Sequence, residues 1–174
     1  MRPTSELVAD AREMSAERFR ALHGDLFLLK RPTLADAIWD GEHQFKTVQG
    51  SPSEVSRRAK IELHASLEMV APVKKKPDNP FPRMISIGRA RSCDIAIRLP
   101  NVSKLHASIN LADDGKLSVR DHGSVNGTTL NGARVRDAMV PIRVGDRLAL
   151  GGVICDLVDA ETLIERLRAA ADAG

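Results

Sequence analysis

The 174-residue sequence predicts an all-β antiparallel sandwich with a short helix near each end. From Leu67 onward, short apolar segments recur at close spacing, and pairs rich in Gly, Asn and Asp separate them. The apolar period switches to helical spacing only towards the two ends of the chain.

Near the start, Leu7, Val8, Ala11, Met14, Ala16, Phe19 and Leu22 lie at helical spacing. With Ser5 as N-cap and Gly24 just past the end, they predict one amphipathic helix over Ser5 to Leu22. Asp25 to Lys30 is a compact apolar run bounded by Gly24 and Pro32, as a buried strand would be. Between Pro32 and Ser66 the pattern weakens, with a short strand expected at Gln44 to Val48 and a helical turn near Glu54 to Ile61.

Strands follow at Leu67 to Val73, Met84 to Ile87, Ile95 to Leu99, Ala107 to Leu111 and Lys116 to Arg120. More are expected at Thr128 to Leu130, Arg134 to Val135, Arg147 to Leu150 and Val153 to Val158. Asp113-Asp114-Gly115, Asn131-Gly132 and Val144-Gly145-Asp146 supply the reversals. After Asp159, the residues Leu163, Ile164, Leu167 and Ala170 share one helical face, with Asp159 or Thr162 as N-cap.

With 43% apolar but only 3% aromatic residues and no Tyr, the core must be aliphatic. The formal charge of +3 is too small for wholesale nucleic-acid coating. Its distribution is uneven: from Lys74 to Lys104 eight bases stand against Asp78 and Asp94, so the remainder is net acidic. That basic stretch lacks interleaved aromatics and any helix-turn-helix pattern, so no nucleic-acid partner is expected. Cys93 and Cys155 read as reduced core thiols. Glu6, Asp10, Arg12 and Glu13 interrupt any signal-peptide core, and no apolar run approaches membrane-spanning length. A soluble, cytoplasmic protein with no membrane partner is the expectation.

Catalytic templates are rejected. Ser103, His106 and Asp121 supply the letters of a hydrolytic triad, yet no G-x-S-x-G elbow is present. His23, His43, His64, His106 and His122 are scattered without metal-ligand spacing, and no phosphate-loop signature occurs, so neither metal nor cofactor is expected. What remains are polar residues at strand ends that folding alone does not call for. Gly88-Arg89 closes one strand and can turn a planar guanidinium towards an oxyanion. Val102-Ser103-Lys104-Leu105-His106-Ala107 offers a hydroxyl, an N–H and an ammonium within one turn. Asp121 to Gly132 is rich in Gly and Asn, and an Asn amide both donates to and accepts from an extended peptide.

Gly88-Arg89, Ser103-x-x-His106-Ala107, Asp121-x-Gly123-Ser124-x-Asn126-Gly127-Thr128, Asn131-Gly132 and Gly145-Asp146-x-x-x-x-Gly151, in this order, closely resemble the forkhead-associated (FHA) domain pattern. The resemblance covers 67–158 and implies a sandwich of about eleven strands, placed at 23–160 with Asp25 to Lys30 as an edge. It leaves the first 22 residues and Pro32 to Ser66 unexplained, and the helical periods outside the sandwich give a helical extension at 1–22 and a helix at 161–174. The resemblance also implies a non-catalytic adaptor that binds a phosphothreonine-containing protein, namely a Ser/Thr kinase or its substrate. Carried over by position, Arg89 and Ser103 contact the phosphate, and Lys104 assists through its N–H and side chain. Asn126 bonds the peptide main chain, while Gly88, His106, Gly127, Asn131 and Gly132 support the binding loops. Val125 departs from the pattern, because many phosphothreonine-binding members carry a hydroxyl or basic side chain there. This departure keeps open an FHA-like module that binds a partner independently of phosphate. Oligomeric state does not follow from the sequence.

Overall fold

Strands with apolar side chains on one face bury them by closing two sheets on each other. The computed structural model, which describes residues 1–32, 68–136 and 138–172, builds two such sheets. The first runs in the order β1 (Arg2–Pro3), β3 (Met69–Pro72), β2 (Leu26–Lys30), β12 (Val153–Asp159), β11 (Arg147–Leu150), β8 (Thr128–Leu130), β9 (Ala133–Val135). The second runs β10 (Val140–Ile142), β7 (Leu117–Asp121), β6 (Ala107–Leu111), β4 (Met84–Gly88), β5 (Ile95–Ala96). Among the described residues every pairing is antiparallel except that of β4 with β5.

Between the sheets lies a core without aromatic rings. Leu28, Leu148, Leu150 and Leu157 of the first sheet meet Ile85, Ile87, Ile109 and Val119 of the second, and Ile97, Leu99 and Val102 close the end of the core. Each such side chain contributes about 1.5–3 kcal/mol when buried. The first sheet is apolar on its outer face too. Phe27, Leu29, Val70 and Val158 point away from the sandwich and pack under Leu7, Ala11 and Phe19 and under Leu163, Ile164 and Leu167. These residues sit on a 3-10 turn (Thr4–Leu7) and the helices α1 (Val8–Glu13), α2 (Ala16–His23) and α3 (Ala160–Asp172). Both aromatic rings of this second core, Phe19 and Phe27, lie outside the sandwich proper, with centroids 6.2 Å apart.

Several expectations need correction. The N-terminal helix is not continuous and Ser5 makes no cap bond. Met14 and Ser15 are extended, and the Ser15 hydroxyl accepts from the Arg18 N–H, so a new helix starts there. Asp25 to Lys30 supplies β2 in the interior of the first sheet, between β3 and β12, rather than an edge. Ile95 to Leu99 is a strand only at Ile95–Ala96. Arg2–Pro3 and Val140–Ile142 form strands that the turn-delimited runs did not indicate. Each carries a proline and lies at a sheet edge, where the missing N–H faces no partner. Asp159 caps α3 by accepting from the Thr162 N–H at 2.8 Å. The strand expected at Gln44 to Val48 and the turn at Glu54 to Ile61 lie outside the described residues. No helix among the described residues is long and apolar enough to cross a membrane.

Candidate functional site

Four loops meet at one end of the sandwich. β4 ends in Gly88, where a Cβ would overlap the Lys104 carbonyl, so only glycine lets the two backbones approach this closely. Beyond it the chains run side by side: the Arg89 N–H donates to the Ser103 carbonyl at 2.8 Å, and the Ala90 N–H donates to the Lys104 carbonyl at 3.1 Å. This fixes Arg89 beside Ser103. The Arg89 side chain is exposed, and its Nε donates to the Val102 carbonyl at 3.1 Å. That one bond aims the guanidinium, while its two terminal amino groups have no partner among the described residues.

His106 holds the base of the site and is fully buried. Its Nδ1 accepts from the Ser103 N–H at 3.1 Å, which leaves the ring proton on Nε2 to donate to the Gly127 carbonyl, also at 3.1 Å. Burial pushes the His106 pKa below its ordinary value, although the Gly127 carbonyl and the Asp121 charge oppose the shift. A neutral imidazole therefore ties the Ser103 loop to the Gly127 loop.

The Gly127 loop is folded around the Asp121 carboxylate. Oδ1 accepts from the Ser124 N–H at 2.8 Å, and Oδ2 accepts from the hydroxyls of Ser124 and Thr128 at 2.7 and 2.6 Å. Burial alone would raise the Asp121 pKa, but the donors on Thr128 and Ser124 outweigh it and hold the group below the usual carboxylate range. The wrapped loop carries Val125 and Asn126 to the rim. The Val125 N–H donates to Ser103 Oγ at 3.1 Å, and Asn126 Nδ2 donates to the Asn101 carbonyl at 2.9 Å. The fourth loop closes the set: the Gly151 N–H donates to the Gly127 carbonyl at 2.9 Å, and Asn101 Nδ2 donates to the Gly151 carbonyl.

The rim so built offers donors without a matching acceptor among the described residues: the Arg89 fork, the Lys104 ammonium and the Ser103 hydroxyl hydrogen. The carboxylates that border these loops are already engaged, Asp121 by three donors and Asp94 by the Lys76 N–H, Asn79 and Ser86. Among the described residues no group of three His, Cys, Asp or Glu is placed to hold a metal ion. Chemically, the arrangement suits a compact anion that accepts several hydrogen bonds at once. The FHA domain family matches residues 85–151, a stretch that contains all four loops.

The chain carries an FHA domain.

Curated relatives are similar to about half of the chain. An ABC transporter ATP-binding/permease protein of Mycobacterium tuberculosis is 38% identical over 85 residues, which is 49% of this chain and 9% of that protein. Mediator of DNA damage checkpoint protein 1 of Homo sapiens is 34% identical over 96 residues, 53% of this chain and 4% of that protein. The chain thus spans less than a tenth of the length of these relatives. Among solved structures, the N-terminal FHA domain of S. cerevisiae Rad53p in complex with a phosphothreonine peptide is 19% identical, covering 81% of this chain and 98% of that one, with a TM-score of 0.45.

Of the residues the sequence singled out, this FHA domain brings Gly88, Arg89, Ser103, Lys104, His106, Asn126 and Gly127 together at one end. Asn131 and Gly132 lie elsewhere, beyond the far end of β8. There Asn131 Nδ2 donates to Asp146 at 2.8 Å and its Oδ1 accepts from the Arg147 N–H at 2.9 Å, joining the β8–β9 turn to the β10–β11 turn. Val125 is 86% exposed, and only its N–H takes part in the loop network. Sequence reasoning gave no role to Asp121, Ser124 and Thr128, although the spacing of one carboxylate and two hydroxyls was visible. Asn101 and Gly151 join the site across 50 residues, and no local pattern carries that signal.

Proposed function

We propose that this FHA domain binds a phosphothreonine-containing segment of a partner protein and catalyses nothing itself. The observation that supports this most is the position of Arg89 beside Ser103, with an exposed guanidinium fork that no acceptor among the described residues occupies. In this reading Arg89 and Ser103 hold the phosphate, Lys104 adds its N–H and ammonium, and Asn126 exchanges its bond to Asn101 for one to the peptide main chain. A phosphothreonine brings about −1.5 to −2 charges at neutral pH, and each charge-assisted hydrogen bond contributes roughly 1.5–3 kcal/mol. Three of them contribute roughly 4.5–9 kcal/mol before the cost of ordering the peptide, which suits a weak, reversible complex with a Kd between about millimolar and micromolar. The partner is a Ser/Thr kinase or a substrate of one, met in the cytoplasm. The sandwich at 23–160 is the binding unit, and the helical segments at 1–22 and 161–174 stiffen it.

One observation favours a second reading. Val125 puts an aliphatic side chain, 86% exposed, where a polar contact to the ligand would stand, as in a module that binds its partner without phosphate. An array of degenerate phosphothreonine peptides, probed beside its phosphatase-treated copy, separates the two. We expect binding to disappear from the treated copy; equal binding to both would establish the second reading.

A further inference from the structure

Arg134, in β9, pairs with Thr129 of β8, and its side chain reaches the diagonal neighbour Gly127 on the same face. The guanidinium lies flat over that glycine: Cζ and both terminal nitrogens come within 3.0 Å of the point where a Cβ would project. Any side chain at position 127 would displace the guanidinium from this place, and the φ of +76° favours glycine independently. Stacking holds the plane of the guanidinium and leaves its N–H edges open. The side chain is exposed and makes no hydrogen bond or ion pair with any described residue. A cation used only to brace the fold would spend those donors on a carboxylate or a carbonyl. Instead its donors are unspent against Gly127, one residue from Asn126, in the loop tied through His106 to Ser103.

We infer that Arg134 is a second anion contact of this site, and that it selects bound segments carrying an acidic side chain, a carboxylate or a second phosphate, near the phosphothreonine. The inference rests on the phosphothreonine reading above and adds a preference that the residues carried over by position do not supply. Val125 offers no charge for such a preference, and Arg89 and Lys104 are assigned to the phosphate in the reading above, so the selection falls to Arg134.

The test uses phosphothreonine peptides in which each flanking position is set in turn to Asp, Glu, phosphoserine, Ala or Lys. At one flanking position an acid should improve binding about threefold to fivefold over Ala, the scale of a partly exposed ion pair. Arg134→Gln should erase that preference while leaving the Ala peptide within about twofold of wild type. The Asp and phosphoserine arms tell which acid is read. An acid preference that survives in Arg134→Gln, or phosphothreonine binding with no acid preference at any position, overturns this inference alone. Failure of wild type to bind any phosphothreonine peptide overturns the parent reading and this one with it.

Discussion

His106 shows how one buried side chain can set both geometry and pH response. With Nδ1 accepting from Ser103 and Nε2 donating to Gly127, neither nitrogen can take a second proton without losing the Ser103 contact. Its folded-state pKa lies below the ordinary 6.5, so as pH falls through that value the unfolded chain binds the proton first and stability declines until the folded-state pKa is passed. His122 is shifted in the same direction by burial and by Arg120. Asp121 acts in a lower window: its depressed pKa gives stability that is present above the ordinary 3.8 and is lost only on further acidification. We therefore expect the thermal midpoint to fall between about pH 7.5 and about pH 5, and to keep falling in His122→Gln. A flat profile in that variant would contradict the neutral brace. The identity of this brace was legible, since Ser103-x-x-His106 already places donor and acceptor one turn apart. Its partner was not, because the Gly127 carbonyl is supplied by a loop 21 residues away.

At the scale of elements, the helices form a layer on the outer face of the first sheet and take no direct part in the loops. Phe19 is fully buried there against Phe27, and Arg168 of α3 donates to the Ala11 carbonyl at 2.7 Å, holding the two ends of the chain together. Truncating Phe19 to Ala should cost about 3–5 kcal/mol, measured by urea unfolding. Phosphopeptide affinity of the folded protein should stay unchanged, since the binding loops lie at one end of the sandwich and this layer on its face. A large loss of affinity at full folding would show the layer to be part of the site. Much of this architecture could be read in advance. Ala107–Leu111, Thr128–Leu130 and Arg147–Leu150 fall where alternation and turn residues put them. The helix break at Met14 and Ser15 could not, because apolar spacing continues through it and only the Ser15 cap bond reveals the restart. The edge strand Val140–Ile142 was hidden by Pro141, a residue that weighs against any central strand.

For the molecule as a whole, the sandwich brings segments far apart in sequence to one rim. β4 ends at Gly88, β6 starts at Ala107, β8 starts at Thr128 and β11 ends at Leu150, so antiparallel pairing delivers four loops to the same end. The order and spacing of the motifs announced this convergence, while the stack of Arg134 on Gly127 needed coordinates. The central claim is that the Arg89 fork and the Ser103 hydroxyl share one phosphate. It is tested most directly by calorimetric titration of a phosphothreonine peptide taken from the array, with wild type, Arg89→Ala and Ser103→Ala side by side. Arg89→Ala should weaken binding by about 2–5 kcal/mol, Ser103→Ala by less, and neither should unfold the domain. Undiminished affinity in Arg89→Ala would contradict the account.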